Sequence, residues 1–125
     1  MQVQQHIYNF LKSAIGEKND WRNNRQIASY LLLNGITPKK LDSSEIRAHI
    51  EQLRKDCADK KQDGDSDIMA VIASKKGYKL TNSITEIRQY YKELSGRIES
   101  INDTLANIGA FLFIPKSKTQ KNDGK

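Results

Sequence analysis

The segment from Val71 to Thr81, VIASKKGYKLT, restricts the possible folds of this chain more than any other. Two short runs that carry apolar residues flank a basic turn, Lys75-Lys76-Gly77, and the aromatic Tyr78 follows the glycine. Short strand-like runs that are separated by a glycine-containing turn are typical of a β-hairpin. The sequence therefore predicts a hairpin from about residue 68 to residue 81, with lysines at its tip.

Three predicted helices precede the hairpin. Apolar residues at helical spacing predict the first from Val3 to Ile15, the second from Asn24 to Leu33, and a third that opens at Asp42, where Glu45 completes a capping-box pattern. The polar segment from residue 58 to residue 67 is predicted to be a mobile loop. The residues expected to face the core from the second and third helices are Ile27, Ala28, Leu31, Leu32, Ile46, Ile50, Leu53 and Cys57.

A long heptad repeat follows the hairpin. From Ile84 to Leu112, nine apolar residues recur in alternating steps of three and four, which predicts a helix with an apolar stripe suited to a left-handed coiled coil. We expect its first two turns to pack on the preceding domain and the rest to pair two copies of the chain, in an orientation that the flanking charges leave open. The residues expected to mediate dimerisation are Tyr91, Leu94, Ile98, Ile101, Leu105, Ile108 and Leu112. Phe111, Phe113 and Ile114 are expected to be covered by the partner chain.

Composition and charge narrow the function classes. The chain has 125 residues and a net charge of +6, of which the tail after Pro115 supplies +3. A basic chain of this size suggests a polyanionic partner. A single cysteine excludes an intrachain disulfide. Because no signal peptide and no membrane-spanning run is visible, we expect a cytoplasmic protein that does not contact membranes.

Catalysis finds no support in the sequence. There is no glycine-rich phosphate loop and no nucleophile motif, and His6 and His49 are isolated. A metal site needs more ligands than these histidines and Cys57 offer. We therefore expect a protein that is not an enzyme and that has no cofactor and no metal.

Three segments carry a resemblance to a known family. Arg25 to Leu31 (RQIASYL), Ser43 to Asp56 (SSEIRAHIEQLRKD) and Ile72 to Leu80 (IASKKGYKL) resemble the second helix, the third helix and the wing of small bacterial and phage winged helix-turn-helix DNA-binding proteins. The likeness covers roughly residues 3 to 95. It implies a mainly α fold with a small β-hairpin (α+β) and a winged helix-turn-helix domain over residues 1–82. The heptad repeat predicts a dimerisation helix over residues 83–114, and the polar, lysine-rich composition predicts a disordered basic tail over residues 115–125.

The resemblance also implies a function. We expect sequence-specific binding of double-stranded DNA by a homodimer, in transcription regulation in a bacterium or phage. The third helix would enter the major groove and the wing would contact neighbouring phosphates. The residues expected to contact DNA are Arg25, Gln26, Ser44, Arg47, Gln52, Lys55, Lys75, Lys76 and Lys79.

A second reading stays open at this point. The acidic residues Glu45, Glu51 and Asp56 balance the basic residues of the third helix, and this balance fits a winged helix that recruits another protein. Such a module would act through its C-terminal helix, for example in a replication or host-takeover complex. Retention on heparin or random DNA, and its loss with salt, distinguishes the two readings.

Overall fold

Four helices and one β-hairpin form the part of the chain that the computed structural model describes, residues 1–112. The elements are, in chain order, α1 (Val3–Ser13), α2 (Asn24–Leu33), α3 (Ser43–Gln62), β1 (Ala70–Ser74), β2 (Gly77–Thr81) and α4 (Ile84–Leu112). The two strands pair in antiparallel fashion. The prediction of a mainly α fold with a small hairpin is therefore confirmed.

Local hydrogen bonds explain where α2 and α3 begin. The Asn23 side chain accepts a bond from the backbone N–H of Gln26 at 2.9 Å, and the Gln26 side chain accepts one from the backbone N–H of Asn23 at 2.8 Å. Asp42 and Glu45 form the same reciprocal pair before α3. Each box satisfies two donors that a helix N-terminus otherwise leaves without partners. The predicted capping box at Asp42 is confirmed.

The third helix is longer than predicted. Residues 58–62 are helical, so the prediction of a mobile loop over them is wrong. Helix-forming residues continue past the last buried position, Cys57, and Lys60 and Lys61 lie in the last turn, where cations favour the helix dipole. The helix ends at Gln62, two residues before Gly64, whose φ is +99°. Only residues 63–69 connect α3 to the hairpin.

The core lies between the first three helices and the hairpin. Its largest fully buried side chains are Ile7, Leu11, Ile27, Leu31, Ile46 and Ile50, and the hairpin adds Val71 and Leu80. Burying a side chain of this size stabilises by about 1.5–3 kcal/mol. Leu32 was predicted to face this core but is 38% exposed, because it lies farther round the helix than the three buried positions Ile27, Leu31 and Ala28.

A short backbone bridge joins the connection between α1 and α2 to the hairpin. The N–H groups of Arg22 and Tyr78 each donate to the other residue's carbonyl, both at 2.8 Å. Gly77, the first residue of β2, has a φ of +118°. A Cβ atom at Gly77 would collide with the backbone of Arg22 and Asn23. The bridge therefore requires glycine at this position.

The chain divides into two compact units. The first runs from Met1 to Tyr90 and includes the start of α4, and the second begins at Tyr91. The first unit therefore extends eight residues past residue 82, into the first two turns of α4. Ser83 caps α4, because its Oγ accepts a bond from the backbone N–H of Glu86 at 3.3 Å. The predictions for Phe113, Ile114 and the tail over residues 115–125 lie outside the described residues.

Candidate nucleic-acid interface

Tyr78 is the residue on which three elements of the first unit converge. It belongs to β2, its backbone pairs with Arg22 just before α2, and its half-buried ring packs at the edge of the core. Burial raises the pKa of its phenol, while the guanidinium groups of Arg54 and Arg47 act in the opposite direction. Tyr78 thus joins the hairpin to the segment before α2.

Arg54 fastens α3 to the hairpin and to α4. Its Nε donates to the carbonyl of Val71 at 3.3 Å, and its guanidinium donates to the Tyr90 hydroxyl at 2.8 Å and to Glu51 at 3.0 Å. The same guanidinium stacks over the Tyr90 ring. With all of these partners inside the domain, Arg54 has a structural role.

Arg47 lies two turns earlier on the same side of α3. It is exposed, and its guanidinium donates a long bond of 3.3 Å to Ser44 Oγ. Arg47 therefore presents its guanidinium to solvent on the helix that Arg54 joins to the hairpin.

The lysine turn itself is short and exposed. Ser74 pairs with Gly77, so Lys75 and Lys76 alone form the loop. The Ser74 hydroxyl accepts a bond from the backbone N–H of Lys76 at 3.0 Å, which fixes the turn without using either ammonium group. Two positive charges are thus held at a defined place next to Tyr78.

The N-terminal end of α2 lies beside this turn. Gly77 touches the backbone of Arg22 and Asn23, and Arg25 and Gln26 follow in the first turn of α2. Both side chains are exposed, although the Gln26 carbonyl oxygen serves the capping box. A helix N-terminus and a neighbouring Arg are suited to a phosphate.

The remaining predicted residues of α3 occupy its outward face. Ser44, Gln52 and Lys55 are exposed and point away from the buried stripe. The Gln52 amide donates to Asp56 at 2.9 Å, so part of its hydrogen-bonding capacity is engaged within the helix. This face is polar with mixed charges and carries no bulky side chain that would prevent it from entering a groove.

Lys79 does not belong with the exposed lysines. Its side chain is only 13% exposed, and its ammonium contacts Glu86 at 2.7 Å and Asp20 at 3.4 Å above the Trp21 ring. These partners raise the pKa of Lys79, the hydrogen bond to Glu86 most of all. The prediction that Lys79 contacts DNA does not fit this placement, because its ammonium is already paired with Glu86 and Asp20 inside the domain.

A second exposed feature lies on α4. None of its residues is buried, and Ile98, Ile101, Leu105 and Ile108 are each more than half exposed. Exposed apolar patches of this extent are typical of interaction surfaces. The predicted dimerisation residues from Tyr91 to Leu112 all lie in the described helix.

Comparisons with protein-family models, with curated proteins and with solved structures found no match for this chain. Among residues 1–112, no helix is both long and apolar enough to cross a membrane. The same residues contain no group of three or more His, Cys, Asp or Glu side chains arranged to hold a metal ion.

Sequence reasoning missed the bridge between Arg22 and Tyr78. A single pair of residues has no period that a pattern search detects. The sequence did contain one signal of the bridge, which is the glycine at position 77. Lys75 and Lys76 form the turn, and Gly77 is already the first residue of the strand that follows it. A glycine at the start of a strand indicates that another backbone segment approaches closely. The bridge is the contact that brings the start of α2 to the lysine turn.

Proposed function

We propose that this protein binds double-stranded DNA through a winged helix-turn-helix domain formed by residues 1–90. The order α1, bridge residue Arg22, α2, α3, hairpin supports this fold, with the hairpin as the wing. The α4 helix then self-associates, with two copies as the smallest assembly that presents paired domains to two half-sites. Such a protein would serve in transcription regulation in a bacterium or phage.

One observation carries the proposal. The backbone bridge between Arg22 and Tyr78 brings the start of α2, which carries the exposed Arg25, to the hairpin whose turn exposes Lys75 and Lys76. The helix α3, which carries the exposed Arg47, is bonded to the same hairpin through Arg54. A duplex presents one negative charge per about 1.7 Å of its axis, so a cluster of cations on an exposed edge favours binding to it. The cluster stands beside α3, the element that would enter the groove.

Each element then has a distinct task. The outward face of α3 carries Ser44, Arg47 and Gln52, whose side chains hydrogen-bond base edges in the major groove. Lys75, Lys76 and Arg25 contact phosphates that border that groove, which fixes the position of α3 without reading sequence. Lys55 contributes a further phosphate contact from the middle of the helix.

The salt dependence of binding tests this assignment. Replacing Lys75 and Lys76 by Ala should flatten the log–log salt slope by about 1–2 for each DNA-bound domain, because each lost phosphate contact removes about 0.9. Fluorescence anisotropy with a labelled random-sequence duplex at several salt concentrations measures the slope. The loss should be equal on all sequences, since phosphates carry no sequence information.

The chain offers a matched control. Lys60 and Lys61 are also two adjacent exposed lysines, and they lie in the last turn of α3, about 20 Å along the helix from Arg47. Replacing both by Ala removes the same charge at the opposite end of the domain and should leave the slope nearly unchanged. Equal slopes for the two double variants would reduce DNA binding to a general charge effect and refute the interface.

A protein-recruiting module is the second candidate function, and the charge balance of α3 favours it. Arg54 pairs with Glu51, and Asp56 binds Gln52, so the helix presents little net charge. The exposed stripe of α4 would then bind a different protein. Parent protein that fails to bind heparin and duplex DNA at low salt would favour this candidate.

A further inference from the structure

We infer that the distal part of α4, from Ile98 to Leu112, joins four copies of the chain in a parallel four-stranded coiled coil, which gives the protein two pairs of DNA-binding domains. That α4 joins more than two copies follows from its residues alone. The choice of four rather than three, and the use of the two pairs on two DNA sites, rest on the DNA binding proposed above.

The identities of the seam residues carry the inference. With Ile84 at an a position, Ile98, Leu105 and Leu112 also occupy a positions, and Ile101 and Ile108 occupy d positions. Two-stranded parallel coils prefer β-branched residues at a with Leu at d. Ile at both positions, or Leu at a with Ile at d, shifts the preference to three or four strands. The distal layers of α4 contain these last two combinations.

The positions beside the seam point the same way. Asn102 and Gly109 occupy e positions, and Thr104 and Phe111 occupy g positions, where two-stranded coils often carry charged pairs. Phe111 is 81% exposed on the helix surface. A two-stranded seam covers mainly a and d, whereas in a bundle of four each helix faces two neighbours and buries its flanks as well. Four strands therefore cover Phe111 together with the stripe.

The symmetry of the DNA partner favours an assembly of four copies over one of three. A two-half-site operator takes domains in pairs. Three copies leave one domain without a half-site, whereas four copies fill two operators. The seam thus fits a protein that holds two DNA segments in one complex.

The native mass of the full chain is the first measurement. Sedimentation equilibrium at micromolar concentration should give four times the 14.3 kDa of one chain. A mass of one, two or three chains overturns the inference. A two-chain mass with DNA binding intact leaves the proposed function standing, whereas a four-chain mass without DNA binding removes the proposed function and leaves the assembly.

A swap of residues within the seam tests the reason for the number. The variant Ile101→Leu/Leu105→Ile/Ile108→Leu/Leu112→Ile keeps composition and side-chain volume and places Ile at a and Leu at d throughout the distal layers. Its mass should fall to two chains, with helix content by circular dichroism unchanged. A variant that still sediments as four chains refutes the role of these identities.

A second variant, which disrupts the seam, keeps the test valid if the swapped variant does not fold. Ile101→Asp/Leu105→Asp places charges in the seam and should give single chains in which Trp21 fluorescence shows a folded first unit. Light scattering with a saturating random-sequence duplex then counts DNA per assembly. We expect two duplexes on the parent and one on the swapped variant, and equal numbers on both would overturn the arrangement in two pairs.

Discussion

Replacing Gly77 by Ala should disrupt the junction that organises the candidate interface. Gly77 has a φ of +118°, and a Cβ atom there would meet the backbone of Arg22 and Asn23. Backbone atoms of another segment do not yield as a flexible side chain does. The substitution should therefore push the hairpin away from the start of α2 and break the bridge between Arg22 and Tyr78.

The structure supplies a magnitude and its control. A non-glycine residue held at positive φ costs about 1–3 kcal/mol. Gly64 has a φ of +99° with no atom within 4 Å of a built Cβ, so Gly64→Ala measures this cost alone. Gly77→Ala also loses the two backbone bonds of the bridge, each of which contributes about 0.5–1.5 kcal/mol. Gly77→Ala should therefore destabilise by about 1–3 kcal/mol more than Gly64→Ala.

Urea unfolding that is followed by tryptophan fluorescence measures this difference. Trp21 is the one tryptophan of the chain and lies next to Arg22, so its emission reports on the junction. Both variants are compared with the parent at one protein concentration, because self-association stabilises by mass action. Equal losses of the free energy of unfolding at the two glycines would refute the reasoning. DNA binding should also weaken in Gly77→Ala and persist in Gly64→Ala.

Two further predictions concern single side chains. Arg47→Ala should cost about 1–3 kcal/mol of binding free energy on a site selected from random DNA and little on an unselected duplex. Anisotropy titrations measure both losses. Equal losses on the two duplexes would make Arg47 a phosphate contact. The hydrogen bond from Lys79 lowers the pKa of Glu86 most, and the bond from Thr81 lowers it second. The ionised Glu86 therefore stabilises the fold fully at pH values above the ordinary glutamate pKa of about 4.3. This contribution is lost as the pH falls through the lower pKa that Glu86 has in the folded state. The stability gap between parent and Glu86→Gln should thus be larger at pH 7 than at pH 3 in urea unfolding, and a gap independent of pH would contradict the ion pair.

The regular elements were predictable because their signals are periodic and local. The apolar spacing in α2 and the pattern Asp42-Ser43-Ser44-Glu45 before α3 depend on residues within one or two turns of each other. The hairpin was predictable for the same reason, since its turn and its strands are adjacent in sequence. The presence of Arg47, Lys75 and Lys76 on the surface also followed from periodicity and turn position.

The rest depends on contacts between residues far apart in the chain. In the sequence, Lys79 is one more lysine of a basic hairpin and cannot be distinguished from a DNA contact. Only the fold places Asp20, Trp21 and Glu86 around its ammonium. The length of α3 beyond Cys57 was missed because a polar helical turn at a surface has the same composition as a loop. Burial and pairing across the fold decide such cases, and a single sequence records neither.

The charges of the first unit connect the interface to the assembly. Residues 1–90 contain 15 Lys and Arg residues against 11 Asp and Glu residues, a net charge of +4. If Arg25, Arg47, Lys75 and Lys76 all contact phosphates, the salt slope is about 3–4 for one domain, so a single domain would lose most of its affinity at physiological salt. Linking domains through α4 raises the local concentration of the second domain once the first is bound, and the gain reaches about 10²–10⁴-fold. In the proposed function a near-neutral α3 and an exposed apolar stripe on α4 are therefore complementary, because self-association through α4 would supply the affinity that one domain lacks.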